Sequence, residues 1–522
     1  MSDSTITFVV LAAVVAVFVW DRVPVAIVAI GVALTLWATD VLSYDQAFQG
    51  FGDPTVIFIA SLFVVSEGLE ASGVTAWAGQ QLIARAGESR TRLVVLTMLL
   101  VAVLTMLISV NGSVAPLVPV AVVTAVRLGR SPSQLLMPVA FAAHAGSLLA
   151  LTGTPVNVIV SDASGDAGVG TFGFFEFALV GVPLLVGTVA IVVLAGERLL
   201  PDRTPRTIPP DFSEHARTLV EQYELDHQDA ASLLTRGKGI AEVVIPPRSE
   251  AVGETVFPGM VTSSGDFVVL AVQRRGEELG PEDAVLAVGD TLLLRGTWDA
   301  LEERLDERQV LLVDAPDLVR RQAVPLGAGA KRALAVLAAM VVLLATGAVP
   351  AAVAGLLAAC AIVLLRVLSV EQAYRGISWT TVILIGGMIS LSTAMVETGA
   401  AETLADDLVS IVGDAGPHAL LLGLFLLTAT LGQLISNLAT ALIVIPIAVS
   451  AAADLDISAK PVLMAVTVSA AAAFLTPVAT PANLMVMGPG GYRFGDYWKL
   501  GVLLLALFGV VAVLHVPVFW GF

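Results

Sequence analysis

The sequence predicts an α-helical polytopic membrane protein of two inverted repeats, each of about five spans plus a re-entrant hairpin, with a small α+β domain inserted between them. Three observations carry that prediction: an extreme apolar composition, an internal repeat at a shift of about 326 residues, and one charged interval over roughly 200–331.

Of the 522 residues, 57% are hydrophobic and 14% charged, and the mean hydropathy is +0.89. Soluble domains run to about 45–50% apolar and about 25% charged, so most of this chain belongs in lipid. The net charge of −17 argues against nucleic acid as a partner. Cys360 is the single cysteine, so neither an internal disulfide nor a thiolate metal cluster is available. Ile6–Trp20 has no basic stretch before it and no small-residue cleavage site after it, and reads as a first span. No Walker loop, metal cluster or nucleophile elbow is present, so enzyme chemistry is not expected.

The repeat is legible in four ordered matches. Thr55-Val56-Ile57-Phe58-Ile59 answers to Thr381-Val382-Ile383-Leu384-Ile385, and Gly73 to Gly399. Leu107-Ile108-Ser109 with Pro119 answers to Leu434-Ile435-Ser436 with Pro446. Thr154-Pro155-Val156-Asn157 answers to Thr480-Pro481-Ala482-Asn483, and Phe174…Gly181-Val182-Pro183 to Phe494…Gly501-Val502-Leu503.

Charge sets the orientation. Spans at Ile6–Trp20, Val23–Val41 and Thr55–Ser72 lead to a basic loop, Arg85–Arg92. Leu93–Leu107 and Val114–Val126 flank a polar tip and end at basic Arg127–Arg130, which makes them a hairpin entering and leaving on the cytoplasmic side. Leu135–Val160, interrupted at 152–157, crosses outward, and Phe174–Leu194 returns. The equivalent loops of the second half, Ala401–Asp414 and Ala451–Asp456, are acidic, so the repeats are inverted and both termini are expected outside the cell membrane.

Backbone leaves the helix at membrane depth only where something other than lipid satisfies its polar groups. Four such breaks occur as two pairs: Ser109–Ser113 with Thr152–Asn157, and Ser436–Thr440 with Thr476–Asn483. Each supplies hydroxyl and amide oxygens plus carbonyls freed by Pro or Gly, the ligands a hard cation prefers. Half-helix N-termini favour an anion instead. A tip beside a broken helix can thus hold a cation next to an anion, the physical basis of symport. His144 lies inside a span two turns before the first break and is a candidate for a coupling proton or a substrate contact. Glu67, Glu70 and Glu397 read as interfacial.

These motifs resemble the divalent anion:sodium symporter family of the ion transporter superfamily over about 1–200 and 325–522. The resemblance implies one cation site around Ser109, Asn111, the Gly153 carbonyl and Asn157. It implies a second around Ser436, Asn437, the Ala479 carbonyl and Asn483. It places the anion at Ser109, Val110, Asn111 and Ser113, with Thr154 and Pro155, and at Ser436, Asn437, Leu438 and Thr440, with Thr480 and Pro481. Na⁺ is the implied coupling ion, a homodimer the implied assembly, and no other cofactor is expected. The tips here read Ser-Val-Asn and Ser-Asn-Leu, where that family carries Ser-Asn-Thr.

Residues 1–200 and 331–522 are the two membrane repeats, joined by linkers at 201–237 and 316–330 and an insert at 238–315. Pro201–Asp229 is Pro-rich, then acidic, with a short helix expected near Ser213–Tyr223. Strands are expected at Ile240–Ile245, Phe267–Val272 and Thr291–Arg295, turns at Gly265-Asp266 and Gly289-Asp290, and a helix at Thr297–Leu305. Val288–Gly296 followed by Ala300-Leu301-Glu302 looks like the C-terminal subdomain of regulators of K⁺ conductance (TrkA-C-like), which implies a small regulatory ligand. The basic flanks Arg203, Arg206, Lys331 and Arg332 put 201–330 in the cytoplasm.

Secondary active transport of a small divalent anion, dicarboxylate or sulfate, is the reading these features support. A Na⁺/H⁺ antiporter would place an acid deep in a broken helix, and none stands there. Such an antiporter, or an arsenite-type permease of the same superfamily, is the alternative. A K⁺ channel would carry a Thr-Val-Gly-Tyr-Gly-like filter, and none is present.

Overall fold

The computed structural model describes residues 2–20, 22–86, 89–127, 130–203, 238–262, 264–275, 277–279, 283–303, 310–313, 329–412, 416–477 and 479–522. It divides into two compact units: one of residues 1–69, 78–209 and 331–522, the other of 70–77 and 210–330. The expected helix at Ser213–Tyr223, Arg206 and most of both linkers lie outside the described residues.

The first half runs α1 (Asp3–Trp20), α2 (Val25–Ala38), α3 (Tyr44–Phe48), α4 (Pro54–Ala71), α5 (Val74–Ala86), α6 (Arg90–Leu107), α7 (Val110–Arg127), α8 (Ser133–Gly146), α9 (Pro155–Asp166) and α10 (Ala178–Leu199). After the insert, which contains α11 (Trp298–Glu303), come α12 (Ala330–Thr346), α13 (Ala351–Leu364), α14 (Val370–Gly376), α15 (Trp379–Glu397), α16 (Ala400–Val412) and α17 (Pro417–Leu434). The chain ends with α18 (Asn437–Asp454), α19 (Ala459–Ala470), α20 (Pro481–Met487), α21 (Tyr497–Val510), a π-helical turn at Val511–His515 and α22 (Val516–Phe519). Among the described residues, eight helical stretches are long and apolar enough to cross a bilayer.

The repeat is written into the backbone as well as the sequence. Asp40 and Arg366, 326 positions apart, both take left-handed φ values of 57° and 54°, and Gly73 and Gly399 take 73° and 72°. Ser43 and Ser369 open α3 and α14 with the same reciprocal cap, in which Gln46 and Gln372 close a capping box. The halves also exchange helices: Gly387 of α15 sits against Ala29 of α2, and the repeat-related Gly355 of α13 sits against Phe58 and Ser61 of α4. The long helices α10 and α21 pack on each other.

Three expected loops are largely helix instead, and of Ala451–Asp456 the first four residues close α18. Ala401–Asp414 falls largely in α16, whose Glu402, Asp406 and Asp407 are exposed while Ala401 and Ala405 are buried. Acids on one face and alanines on the other make an amphipathic helix, and the charge alone had read as loop. Arg85 likewise ends α5, and Arg90 and Arg92 begin α6.

The second unit is a five-stranded antiparallel sheet in the order β4-β3-β6-β1-β7, built from β1 (Lys238–Val244), β3 (Phe267–Arg274), β4 (Glu277–Glu278), β6 (Thr291–Thr297) and β7 (Leu311–Leu312). A two-stranded ribbon pairs β2 (Thr255–Val256) with β5 (Ala284–Val285). Gly265 and Gly289 turn the chain at φ 77° and 86°, as the turn signals predicted. One face buries Val243, Val269, Leu292, Leu294 and Phe267 beneath Trp298 and Leu301 of α11. Inside this unit Asp290 is 1% exposed and accepts two bonds from Arg274 at 2.8 Å, which holds its carboxyl below the usual carboxylate range.

Candidate functional site

Each hairpin tip is an abrupt cap and not a long unwound loop. Ser109 Oγ accepts the Gly112 N–H at 3.1 Å, so α7 is helical from Val110 onward. Ser436 Oγ accepts the Ala439 N–H at 3.2 Å, so α18 is helical from Asn437. Asn111, Ser113, Leu438 and Thr440 therefore lie in the first turns of helices, correcting the broader breaks expected there. A serine cap satisfies the first orphan amides locally. Asn111 is exposed and Asn437 half-buried, while Ser113 and Thr440 are buried with their hydroxyls spent. Ser113 Oγ pairs with Thr105 Oγ1 at 2.5 Å, and Thr440 Oγ1 donates to the Ser436 carbonyl at 3.0 Å. Asn437 Oδ1 accepts its neighbour Leu438 N–H at 2.9 Å.

The broken helices unwind earlier than expected. α8 stops at Gly146 and α9 starts at Pro155, so residues 147–154 are out of the α-helix, where a break at 152–157 was expected. α19 stops at Ala470 and α20 starts at Pro481. The cause is a side chain from beyond the break. Asn157 Nδ2 donates to the Ser147 and Ala150 carbonyls at 2.8 Å each. Asn483 Nδ2 donates to the equivalent Ala473 and Thr476 carbonyls at 2.8 and 3.1 Å. The same amide holds two unwound carbonyls in each half, so the asparagines are clamps for the break. Pro155 and Pro481 stand at the first helical positions, where the missing N–H costs nothing.

Glycine permits the next layer. A Cβ on Gly181 would lie 2.1 Å from the Leu148 carbonyl oxygen, and one on Gly501 would lie 2.4 Å from that of Phe474. Leu148 and Phe474 are repeat partners inside the two breaks, so α10 and α21 each press onto an unwound strand through a bare backbone.

Tips and breaks are tied together. Thr152 Oγ1 donates to the Met106 carbonyl at 2.9 Å, and Thr476 Oγ1 to the Gln433 carbonyl at 3.3 Å. Across the repeats, α7 packs against α20 and α18 against α9, so each hairpin arm leans on the broken helix of the other half. Gly153, Thr154, Ala479 and Thr480 are all buried at these crossings, and Pro481 is exposed.

His144 is 1% exposed and bridges the halves. Its Nε2 lies 3.2 Å from Asn483 Oδ1 and 3.3 Å from Thr480 Oγ1. Asn483 spends its N–H groups on carbonyls, so Oδ1 can only accept and His144 Nε2 carries the proton. Two further residues escaped the sequence reading. Gln433 braces the second break, taking the Leu475 N–H and giving to the Ala472 carbonyl at 3.0 Å each. Tyr497 Oη donates to the Asn483 carbonyl at 2.7 Å. Their polarity in apolar runs was the available signal.

A cavity of about 580 Å³ opens beside α18, α9 and α15, with Asp53, Asp162, Asp166 and Glu397 in its wall. Thr55 Oγ1 donates to Asp162 at 2.8 Å, and the exposed Glu397 accepts from Gln46 Nε2 at 2.7 Å. At the far end of α8, Tyr492 of the second half enters the helix: its Oη donates to the Ser133 carbonyl at 2.5 Å and accepts the Met137 N–H at 2.8 Å. Arg203, at the root of the first linker, pairs with Asp496 at 2.5 Å.

Paired hairpins crossed with paired broken helices, in a chain this apolar, define a secondary transporter embedded in a membrane. The family profile described as citrate transporter matches residues 15–468 and 415–522, and the chain belongs to that family. It is 31% identical to the uncharacterized transporter YfbS of Escherichia coli over 98% of both chains. It is 30% identical to sodium/sulfate cotransporter 2 of Chlamydomonas reinhardtii over 54% of this chain and 32% of that one. The crystal structure of the Alcanivorax borkumensis YdaH transporter superposes with a TM-score of 0.52 at 14% identity, covering 97% of this chain and 99% of that one, a likeness of fold.

Proposed function

We propose that the protein is a Na⁺-coupled symporter of a small divalent anion, sulfate or a dicarboxylate, working by alternating access. The observation that carries the reading is the doubled site: a serine-capped tip at Ser109 or Ser436, beside carbonyls held out of helix by Asn157 or Asn483. The two caps present helix N-termini to an anion. The unwound carbonyls, Gly153 and Ala479 among them, with the amides of Asn111 and Asn437, supply oxygen to a cation. The acidic cavity favours cations at its mouth. Relatives named sodium/sulfate cotransporters support the choice of ion and cargo.

In this reading residues 1–200 and 331–522 are the transport repeats, and 238–315 is a cytoplasmic, TrkA-C-like domain that binds a small ligand. The protein works as a homodimer in the cell membrane with both termini outside. His144 contacts the substrate region through Asn483 and Thr480. The test is uptake of labelled sulfate and succinate into proteoliposomes, with an inward Na⁺ gradient against a K⁺ control. Na⁺-dependent uptake of one anion, lost in Asn111→Ala and Asn437→Ala, is the expected result. Proton or K⁺ flux with no anion uptake would sink it.

A further inference from the structure

A second cavity, of about 320 Å³, lies away from the tips and breaks, where α6 and α8 begin and α7 and α10 end. α6 and α10 are each long and apolar enough to cross a bilayer, so their ends lie at its surface. Arg90, Arg130, Ser131, Gln134, Glu197 and Asp202 form the polar part of the wall, with Leu93 and Leu135, 2% and 3% exposed, in the apolar part.

Arg90 is the anomaly. Its side chain is only 19% exposed, yet its close partner is a neutral amide: Nη2 donates to Gln134 Oε1 at 2.9 Å. Gln134 is fixed in turn, since its Nε2 donates to the Leu200 and Pro201 carbonyls at 3.2 Å each. Glu197 stands 3.8 Å from Arg90 Nη1 and is 76% exposed, a pair that water screens. Arg90 Nε–H reaches no partner among the described residues. A guanidinium this withdrawn from water, with donors to spare, is completed by an anion that takes its fork, and phosphate has that geometry.

The wall also carries the opposite sign. Glu197 and Asp202 stand beside the two arginines, and Asp202 takes the Ser131 hydroxyl. Two cations and two carboxylates in one pocket match a ligand that joins a phosphate to an amine. The repeat offers no second copy: shifted by 326 positions, Arg90, Arg130 and Gln134 become Gly416, Asp456 and Lys460. The pocket thus serves one membrane surface and not a step that both halves share. Leu194 of α10, one turn before Glu197, is 81% exposed and offers apolar surface to an acyl chain. We propose that this pocket binds the phosphoethanolamine headgroup of a membrane lipid, with its phosphate on Arg90 and Arg130 and its amine on Glu197 and Asp202.

The test needs neither substrate nor transport. Thermal unfolding of the purified, delipidated full chain is followed in detergent while short-chain phosphatidylethanolamine is titrated. Phosphatidylglycerol of the same chain length, free phosphoethanolamine and inorganic phosphate are run beside it. A ligand that binds only the folded state raises Tm with concentration. Phosphatidylethanolamine should act at the lowest concentration, and Arg90→Gln should raise its half-effect concentration about tenfold or more. Glu197→Gln changes an exposed side chain and should erase the preference over phosphatidylglycerol. If Arg90→Gln does not fold, Glu197→Gln decides alone, and an unchanged preference overturns the proposal. A parent that takes phosphatidylglycerol equally well overturns the pairing of amine with carboxylate. Free phosphoethanolamine or phosphate acting as strongly as the lipid assigns the pocket to a soluble anion and overturns the lipid. No shift with any of the four overturns the site.

Discussion

The two broken helices share a plan and differ in their bracing. Both are opened by an asparagine that holds two carbonyls, and both lie under a bare glycine of the following helix. The second carries three polar supports that the first lacks: Gln433 where the repeat has Met106, His144 where it has Ala470, and Tyr497 where it has Phe177. What the halves keep is what the break cannot form without. What they vary is how heavily it is braced, and the second break carries the more side-chain bonds.

The comparison breaks most severely at the glycines. Gly181→Ala would drive a methyl into the Leu148 carbonyl, and Gly501→Ala into that of Phe474, both closer than real Cβ contacts reach. We expect little monodisperse protein from either on size exclusion in detergent, with Gly181→Ala the worse. Overpacking already costs about 1–3 kcal/mol where side chains can yield, and here the obstacle is backbone.

Asparagine removal comes next and should be unequal. Asn483→Ala strands two carbonyls and deprives His144 of its acceptor. Asn157→Ala strands two carbonyls but removes an oxygen that had no donor. With about 1–3 kcal/mol for each buried group left unpaired, Asn483→Ala should be the more destabilising, by about 1 kcal/mol or more, in Na⁺-free thermal unfolding. Equal losses would argue that the halves are braced alike.

Gln433→Met makes the second half resemble the first. It removes bonds to Leu475 and Ala472 and should cost about 1–2 kcal/mol. Local loosening should show as faster amide hydrogen exchange over 472–476, with the first break unchanged.

The smallest effect lies in the sheet unit and serves as a control. Asp290 has its pKa lowered by Arg274, so the pair's stabilisation is full above the ordinary carboxylate pKa and fades as pH falls through the lowered one. Exchange protection of β3 and β6 should decline in acid below the usual carboxylate range. Asp290→Asn should flatten that decline without touching the breaks.

Much of this was legible because transporter breaks use residues with loud signals. Ser109, Pro155, Asn157 and their partners announced the doubled tips and breaks, and turn glycines marked the turns between the sheet strands. The early start of each break was not legible. Leu148-Leu149-Ala150 and Ala472-Ala473-Phe474 are apolar stretches with no local breaker, and they unwind because an amide seven to ten residues later claims their carbonyls. The capping boxes at Ser43 and Ser369 were available to a closer reading, since both show Ser-x-x-Gln before Ala. The pairing of His144 with Asn483 spans 339 positions, and no local pattern announces it.

Tyr492 has a consequence for how the chain is made. Its hydroxyl stands between the Ser133 carbonyl and the Met137 N–H, two groups an unbroken helix would join directly, and it arrives 355 residues after Met137. Synthesis proceeds from the N-terminus, and early segments fold before late ones exist. The first turn of α8 therefore takes its observed opened form only when the second half has been made and docked. In a chain that stops short of Tyr492 the Ser133 carbonyl is expected to take the Met137 N–H directly, so the opened turn is a form that only the complete chain adopts.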